Sequence, residues 1–210
     1  MSHTRPDGLP DRALQRRYGL LAGVDEVGRG ALAGPLTVAA VILDPSRAIP
    51  GIDDSKRLNA RTRQRLAAEV RRHALAWAVV YRSPARVDEV NVLEATREAM
   101  RSALLALRPV PACAVADALA LPGLPFPVVS ENHADERYLC VAAASILAKV
   151  SRDHRMVELA RRHPGYGWER NRGYGTREHL AALLRIGPSP CHRRSFAPVR
   201  ASMMRGKSLA

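Results

Sequence analysis

Short apolar runs alternate along this chain with segments of helical periodicity. Apolar runs predict strands over 20–24, 36–43 and 76–81, and shorter runs predict two more over 112–116 and 128–129. Turn residues such as Gly34-Pro35 and Pro50-Gly51 separate the early strands. Strands that come early and then alternate with helices predict an α/β fold with a mixed β-sheet, rather than a doubly wound parallel sheet.

Apolar residues at helical spacing predict four helices. The first is capped near Asn59, and the second begins at Ser83-Pro84 with proline in its first turn. The third and longest runs from Glu136 to about His163 without glycine or proline. The last is capped by Thr176 and continues to Ile186, with Gly187 as its C-cap.

Both ends of the chain differ in composition from its centre. Residues 1–17 are polar and contain Pro6, Gly8 and Pro10, so we expect a flexible N-terminal tail. Residues 201–210 are expected to form a C-terminal tail. No repeat or low-complexity linker divides the sequence between them, which predicts a single domain over 18–200.

Charge then narrows the class of partner. The 210 residues include 33 Lys and Arg against 20 Asp and Glu, a formal net charge of +13, and 47% hydrophobic residues are enough for a core. Such an excess favours a polyanionic partner, usually nucleic acid, although a high arginine content is also typical of a GC-rich genome.

The cysteines and the apolar runs indicate where the protein resides. Cys113, Cys140 and Cys191 are far apart and odd in number, which argues against a disulfide framework or a zinc site and indicates reduced thiols in the cytoplasm. Membrane-spanning runs and the apolar core of a signal peptide are both missing from the sequence, so we expect no membrane partner.

The first strand runs into two adjacent carboxylates, Asp25 and Glu26. Neighbouring acids disfavour joint ionisation unless a cation neutralises them, and oxygen ligands suit Mg²⁺ or Mn²⁺. Gly28-Arg29-Gly30 follows and offers backbone N–H groups for close approach to a phosphate or a sugar. Taken alone, an Asp-Glu pair is more often a plain strand end at the surface.

Two further acids stand in comparable places. Asp117 follows the fourth apolar run as Asp25 follows the first, and Asp135 stands at the foot of the longest helix, where the dipole favours a negative charge. Taken alone, Asp117 fits a turn residue as well as it fits a metal ligand, and Asp135 is more often a helix-terminus acid than a ligand. His133 nearby is more often a surface histidine than a metal ligand.

Five sequence blocks in order form a family pattern over residues 18–199. They read GVDEVGRG at 23–30 with LAGP at 32–35, DSKRL at 54–58, AAASILAKVSRD at 142–153, GYGT at 173–176 and HRRSF at 192–196. Together they resemble the ribonuclease HII family, the type 2 ribonucleases H of bacteria and archaea.

The resemblance implies a ribonuclease H-like mixed β-sheet flanked by helices, with a C-terminal helical segment, and a single catalytic domain over 18–200. It implies a metal-dependent endonuclease that hydrolyses the phosphodiester 5′ of a ribonucleotide, in RNA–DNA hybrids or embedded in duplex DNA. The products would carry 3′-hydroxyl and 5′-phosphate ends, and the activity would serve ribonucleotide removal in replication and repair. A monomer is expected.

The resemblance also implies the site residues. Four acids would be catalytic and would hold two Mn²⁺ or Mg²⁺ ions: Asp25, Glu26, Asp117 and Asp135. Substrate contacts would come from Gly28, Arg29, Gly30, Ser55, Lys56 and Tyr174. Ser145 and Lys149 share one helix face, and the sequence leaves open whether they face the site. The roles of His192 and Arg193 are also left open by the sequence, and a structural role is one interpretation.

Several alternatives and departures accompany this assignment. The sister ribonuclease HIII usually has an additional N-terminal domain and another residue in place of Arg29. A non-catalytic binder would have lost an acid, and a nucleotide-binding protein would need a phosphate-loop signature that is missing from this sequence. Ala118 stands where the family often has glycine, and Arg172 where lysine is common.

Overall fold

The computed structural model describes residues 5–207, with side chains through 204. These residues form two compact units. The first contains the described residues up to Val27 together with Thr37–Val80 and Arg97–Val150. The second contains Gly28–Leu36, Tyr81–Thr96 and the residues from Ser151 onward. The single domain expected over 18–200 stays a prediction.

A five-stranded sheet confirms the predicted mixed topology. The strands are β1 (Leu21–Val27), β2 (Leu36–Ile42), β3 (Ala76–Arg82), β4 (Cys113–Asp117) and β5 (Val128–Glu131). Their order is β3-β2-β1-β4-β5. Strand β1 pairs antiparallel with β2 and parallel with β4, and β4 pairs parallel with β5. Both central strands, β1 and β4, thus have their carboxyl ends at the same edge.

The helices largely follow the predicted starts and stops. They are α1 (Leu9–Tyr18), α2 (Ala60–His73), α3 (Pro84–Ala106), α4 (Ala134–Arg137), α5 (Leu139–Arg162), α6 (Trp168–Asn171), α7 (Arg177–Ile186) and α8 (Ala197–Lys207). The Asn59 side chain accepts a hydrogen bond from the Thr62 N–H, and Thr176 accepts one from His179 N–H, so both predicted caps are confirmed. Within residues 5–207, none of the helices combines the length and apolarity that crossing a bilayer requires.

The longest helix begins later than the sequence predicted. It was expected from Glu136, but Tyr138 is extended and separates the short α4 from α5. Both carboxylate oxygens of Asp11 accept hydrogen bonds from the first N–H groups of α5, at Leu139 and Cys140. A side chain 128 positions away therefore caps this helix, and Asp135 lies on α4 rather than at the foot of the long helix.

Both expected tails contain helix. Helix α1 occupies part of the 1–17 segment, where the buried carboxylate of Asp11 ties it to α5. Helix α8 reaches Lys207, so it includes most of the expected 201–210 tail and provides the predicted C-terminal helical segment. Sequence composition missed both helices because their polarity is typical of solvated ends. Residues 1–4 and 208–210 lie outside the described residues.

Helix α5 lies directly on strand β1 at Gly23. A Cβ atom on Gly23 would come 2.2 Å from the Cys140 carbonyl carbon and 2.3 Å from the Val141 nitrogen, so only glycine permits this contact. Residues two apart in a strand share a face, as do residues four apart in a helix. The contact therefore aligns Asp25 with Ser145, one step further along each element.

Candidate active site

Asp25 and Asp117 lie side by side in the first unit, although β1 continues past Asp25 to Val27 instead of ending at residue 24 as predicted. In the β1–β4 pairing Val24 lies opposite Ala116, so Asp25 and Asp117 are the next residues on two neighbouring parallel strands. Such strands are ~4.8 Å apart. The structure therefore brings together two acids that are 92 positions apart in the sequence, as their shared position after an apolar run predicted.

Asp135 reaches the same region through the turn before α4. The backbone N–H of Ala134 donates to Asp117 Oδ1 at 3.1 Å, which places the following residue beside the end of β4. The side chain of Asp135 is only 3% exposed. Its Oδ2 accepts a hydrogen bond from Lys56, whereas its buried Oδ1 has no hydrogen-bond partner among the described residues. A buried carboxylate oxygen in this state is costly unless a cation binds it.

Two serines support Asp25 from α5 and from the DSK block. The Ser145 side chain hydrogen-bonds to Asp25, and its hydroxyl lies 2.9 Å from that of Ser55. Burial raises the pKa of Asp25 well above its usual range; the charges of Glu26 and Asp135 raise it further, against the Ser145 hydrogen bond. Clustered buried carboxylates of this kind favour a bound cation.

Lys56 supplies a positive charge to this cluster. Its Nζ donates to Asp135 Oδ2 at 3.1 Å and lies 4.0 Å from Asp54 Oδ1. Partial burial opposes the charge on Lys56, but the hydrogen bond to Asp135 and the neighbouring carboxylates raise its pKa above the ordinary value. The side chain is 77% exposed and flexible, so its ammonium group is able to leave the carboxylates.

The donor set fits an oxygen-preferring divalent cation. All of its charged groups are carboxylates, the type of ligand that Mg²⁺ and Mn²⁺ prefer, and one buried oxygen of Asp135 makes no hydrogen bond within the described chain. Within residues 5–204, no three acids, histidines or cysteines form a set that could hold a metal ion in this structure. Glu26 follows Asp25 in β1, and its charge is close enough to raise the pKa of Asp25.

Ser55 is buried, whereas His133 lies at the surface. The buried Ser55 hydroxyl pairs with that of Ser145 in this structure; its predicted substrate contact stays a prediction. His133 is exposed and lies 3.5 Å from Glu136, which matches the surface reading.

The glycine loop, Gly28-Arg29-Gly30, belongs to the second unit. Gly28 has φ of 88°, and a Cβ atom there would lie 2.1 Å from Arg152 Nε. A Cβ atom on Gly30 would meet nothing within 4 Å among the described residues, and its φ is outside the left-handed region. Gly28 is therefore required by packing, whereas Gly30 leaves open space in front of the backbone. Arg29 is exposed between them.

Tyr174 is held through its backbone by a buried histidine network. His192 Nδ1 accepts from the Ser189 N–H, so His192 Nε2 carries the proton and donates to His179 Nε2 at 3.0 Å. His179 Nε2 also accepts from Trp168 Nε1, which leaves His179 Nδ1 to donate to the Tyr174 carbonyl at 3.0 Å. Both imidazoles must be neutral for this arrangement.

Burial is the main cause that keeps these imidazoles neutral. Burial, with the neighbouring charge of His179, lowers the pKa of His192 to about 4, and burial also lowers the pKa of His179. The sequence left the role of His192 open and gave no role to His179. Because histidine is compatible with either surface or core, its spacing alone does not reveal such a network.

Ala118, at the first departure from the family pattern, adopts the conformation that glycine prefers. Its φ is 52°, and its N–H donates to the Glu131 carbonyl at 3.1 Å. The left-handed conformation costs an alanine ~1 kcal/mol relative to glycine. The turn after Asp117 therefore forms with alanine as well, at a small cost in conformational free energy, and the Asp117 carboxylate stays at the end of β4.

Solved structures with this fold are ribonucleases H. The ribonuclease H2 of Pyrococcus horikoshii OT3 is similar with a TM-score of 0.77 and 28% sequence identity, over 89% of this chain and 98% of its own. Bst-RNase HIII, solved in complex with Mn²⁺, has a TM-score of 0.67 at 21% identity over 90% of this chain and 70% of its own, a likeness of fold alone. The fold is therefore that of the ribonuclease H class.

Sequence comparison then gives the family. The ribonuclease HII family matches residues 22–199. A ribonuclease HII of Rhodospirillum rubrum is 50% identical over 203 residues, which cover 94% of this chain and 93% of the relative. The chain belongs to the ribonuclease HII family, and it is an endoribonuclease, a hydrolase of phosphodiesters. The resemblance in the five sequence blocks is confirmed.

Proposed function

We propose that this enzyme hydrolyses the phosphodiester on the 5′ side of ribonucleotides, in RNA–DNA hybrids and at single ribonucleotides embedded in duplex DNA. The products carry 3′-hydroxyl and 5′-phosphate ends. Family membership supports the ribonuclease H activity. The observation that carries the catalytic part is the parallel β1–β4 pairing, which places Asp25 and Asp117 directly after the paired residues Val24 and Ala116 on two neighbouring strands.

The metal part of the proposal assigns two divalent ions, Mn²⁺ or Mg²⁺, to four acids: Asp25, Glu26, Asp117 and Asp135. When bound, two such ions supply an activated water and stabilise the leaving 3′ oxygen. The chain itself fixes the ligands, since Ser145 hydrogen-bonds to Asp25 and the Ala134 N–H holds Asp117. Two observations support this assignment: Asp135 Oδ1 has no hydrogen-bond partner among the described residues, and burial together with the neighbouring carboxylates raises the pKa of Asp25.

The recognition part assigns the substrate contacts to six residues. The backbone of Gly28-Arg29-Gly30 would meet the ribose 2′-hydroxyl, the group that distinguishes RNA from DNA at one nucleotide. The ring of Tyr174 would pack on the adjoining deoxyribose. Lys56, whose side chain is mostly exposed, and Ser55 would contact the backbone phosphates. The net charge of +13 supports a nucleic-acid substrate.

The catalytic assignment is tested with Asp117→Asn on a duplex that carries one ribonucleotide. We expect cleavage in Mg²⁺ to fall by at least ~100-fold while duplex binding is kept, because the change removes a ligand charge and leaves the basic surface intact. Glu89→Gln is the control, since Glu89 is an exposed carboxylate paired with Arg86. Near-normal turnover of Asp117→Asn would contradict the assignment.

The cellular setting is also part of the proposal. We propose that the enzyme acts as a monomer in the cytoplasm and removes ribonucleotides during DNA replication and repair. Dispersed cysteines and the family relationship support this setting. Light scattering of the purified protein, alone and with duplex, measures the oligomeric state, and a stable dimer would contradict that part.

A further inference from the structure

Two arginines of the second unit are completely buried. Arg152, on α5, and Arg193, in the HRRSF block, both have 0% exposure. Burying a guanidinium is costly unless its donors are used. Burial lowers the pKa of Arg152, and burial together with the charge of Arg152 lowers the pKa of Arg193 to about 9. Because two buried like charges are costly to the fold, we expect the contacts of these two arginines to have a defined structural or functional role.

Arg152 donates to main-chain carbonyls of two different loops. Its Nε donates to the Pro35 carbonyl at 2.9 Å and its Nη2 to that of Ala33 at 3.2 Å. Its Nη1 donates to the Arg172 carbonyl at 2.9 Å, two residues before Tyr174. The guanidinium carbon also lies 5.3 Å from the centre of the Tyr174 ring. One side chain thus touches the segment after the glycine loop and the tyrosine itself.

Arg193 fixes the start of the same glycine loop. Its Nη1 donates to the Arg29 carbonyl at 2.7 Å, and its Nε and Nη2 both donate to the Gly34 carbonyl, at 3.3 and 3.1 Å. All the acceptors of both arginines are main-chain oxygens. The planar guanidinium reaches several carbonyls at once, which a lysine ammonium on its flexible stem does not do in fixed geometry.

The two loops are also joined to each other. The Gly173 carbonyl accepts hydrogen bonds from the N–H groups of Leu32 and Ala33, at 2.8 and 3.2 Å. A Cβ atom on Gly173 would lie 2.4 Å from the Ala33 carbonyl oxygen, so the approach requires glycine. Residues 28–35 and 172–174 are therefore held as one piece around Arg152.

We propose that Arg152 and Arg193 are positioning residues that set the discrimination between ribose and deoxyribose. The inference rests on the proposed function, in which Gly28-Arg29-Gly30 and Tyr174 read one nucleotide. A single 2′-hydroxyl is distinguished only by partners held close to it, and a misplacement of ~1 Å costs ~100-fold in rate. The two arginines supply that precision together, since Arg193 fixes the backbone of Arg29 and Arg152 contacts the ring of Tyr174.

The test compares binding of two duplexes that differ by one 2′-hydroxyl. It uses Asp25→Asn as the parent, since that change is expected to prevent cleavage. Arg152→Lys and Arg193→Lys are each added to this parent, because lysine keeps the charge and loses the fork of donors. Arg155→Lys is the matched control: Arg155 lies on the same helix, is half exposed, and bonds only to Glu158 among the contacts of its side chain in residues 5–204.

We divide the dissociation constant for the all-DNA duplex by that for the duplex with one ribonucleotide. This ratio should fall toward one in both Lys variants and stay at the parent value in Arg155→Lys. A loss of folded protein changes both constants alike, so the ratio reports positioning. In the cleaving background, kcat/KM at a single ribonucleotide should fall ~100-fold in Arg152→Lys. An unchanged ratio in either folded Lys variant, with a parent that discriminates, would overturn this inference alone. A parent that binds both duplexes equally would contradict the proposed recognition itself.

Discussion

The two glycines of the Gly-Arg-Gly motif should respond to alanine in opposite ways. At Gly28 an added Cβ atom would lie 2.1 Å from Arg152 Nε, 2.7 Å from its Cζ and 2.8 Å from its Cδ. At Gly30 a Cβ atom would meet no described atom within 4 Å. Gly28→Ala therefore disturbs the protein itself, whereas Gly30→Ala places a methyl group only in the space where the proposed substrate approaches.

The cost at Gly28 follows from its surroundings. Alanine at a φ of 88° costs ~1–2 kcal/mol, and a displaced Arg152 loses charged hydrogen bonds worth ~1.5–3 kcal/mol each. A loss of about 3 kcal/mol or more corresponds to a melting temperature lower by ~6–12 °C for a protein of this size. Gly30→Ala should stay within about 0.5 kcal/mol of wild type, which is less than ~2 °C.

Thermal unfolding and cleavage of a duplex with one ribonucleotide measure the two effects separately. We expect Gly28→Ala to lose stability, and Gly30→Ala to keep it while kcat/KM falls ~100-fold because the backbone no longer reaches the sugar. A Gly28→Ala protein as stable as wild type would refute the packing argument. A Gly30→Ala protein with wild-type cleavage would remove this glycine from the recognition site.

Three further outcomes follow from the same structure. The folded-state pKa of His192 is about 4, below the unfolded value near 6.5. Neutral His192 therefore contributes ~3 kcal/mol to the stability of the folded protein above pH 6.5, and this contribution is lost as the pH falls toward 4. Urea unfolding at pH 7.5 and pH 5 should show this loss in wild type and a smaller one in His192→Gln; equal losses would contradict it. Tyr174→Ala should slow cleavage at one embedded ribonucleotide and leave Mn²⁺ binding and the melting temperature nearly unchanged. The control Tyr81→Ala, at an exposed tyrosine, should cleave at the wild-type rate. Wild-type rates in Tyr174→Ala would make Tyr174 a structural residue. Duplex affinity should fall with salt with a log–log slope near −0.9 per phosphate contacted, and a flat titration would mean that the basic residues are only solvated.

The sequence predicted those features that depend on local patterns. Apolar runs located the five strands, and the caps at Asn59 and Thr176 formed as expected because a capping side chain bonds within three residues of itself. The positions of Asp25 and Asp117 after apolar runs indicated that both acids belong to neighbouring strand regions, and the parallel β1–β4 pairing brings them together; Asp117 ends β4, whereas β1 continues past Asp25 to Val27.

Features that depend on contacts distant in sequence were not predictable in this way. Asp11 caps α5 from 128 positions away, so the composition of the N-terminal segment indicated a tail where a helix forms. Arg152 and Arg193 are charged residues that a sequence pattern assigns to the surface, yet both are buried because main-chain carbonyls of the second unit accept their hydrogen bonds. The five-block resemblance included both positions without revealing what they do.

The site of the cut on a defined substrate tests the central claim most directly. A DNA duplex with one ribonucleotide is incubated with the wild-type enzyme in Mn²⁺ or Mg²⁺, and the products are mapped to single-nucleotide resolution with their ends identified. The account predicts one cut on the 5′ side of the ribonucleotide, a 3′-hydroxyl and a 5′-phosphate, and no cut without a divalent cation or with Asp25→Asn. A cut on the 3′ side, cleavage of the matching all-DNA duplex at a similar rate, or full activity of Asp25→Asn would contradict it.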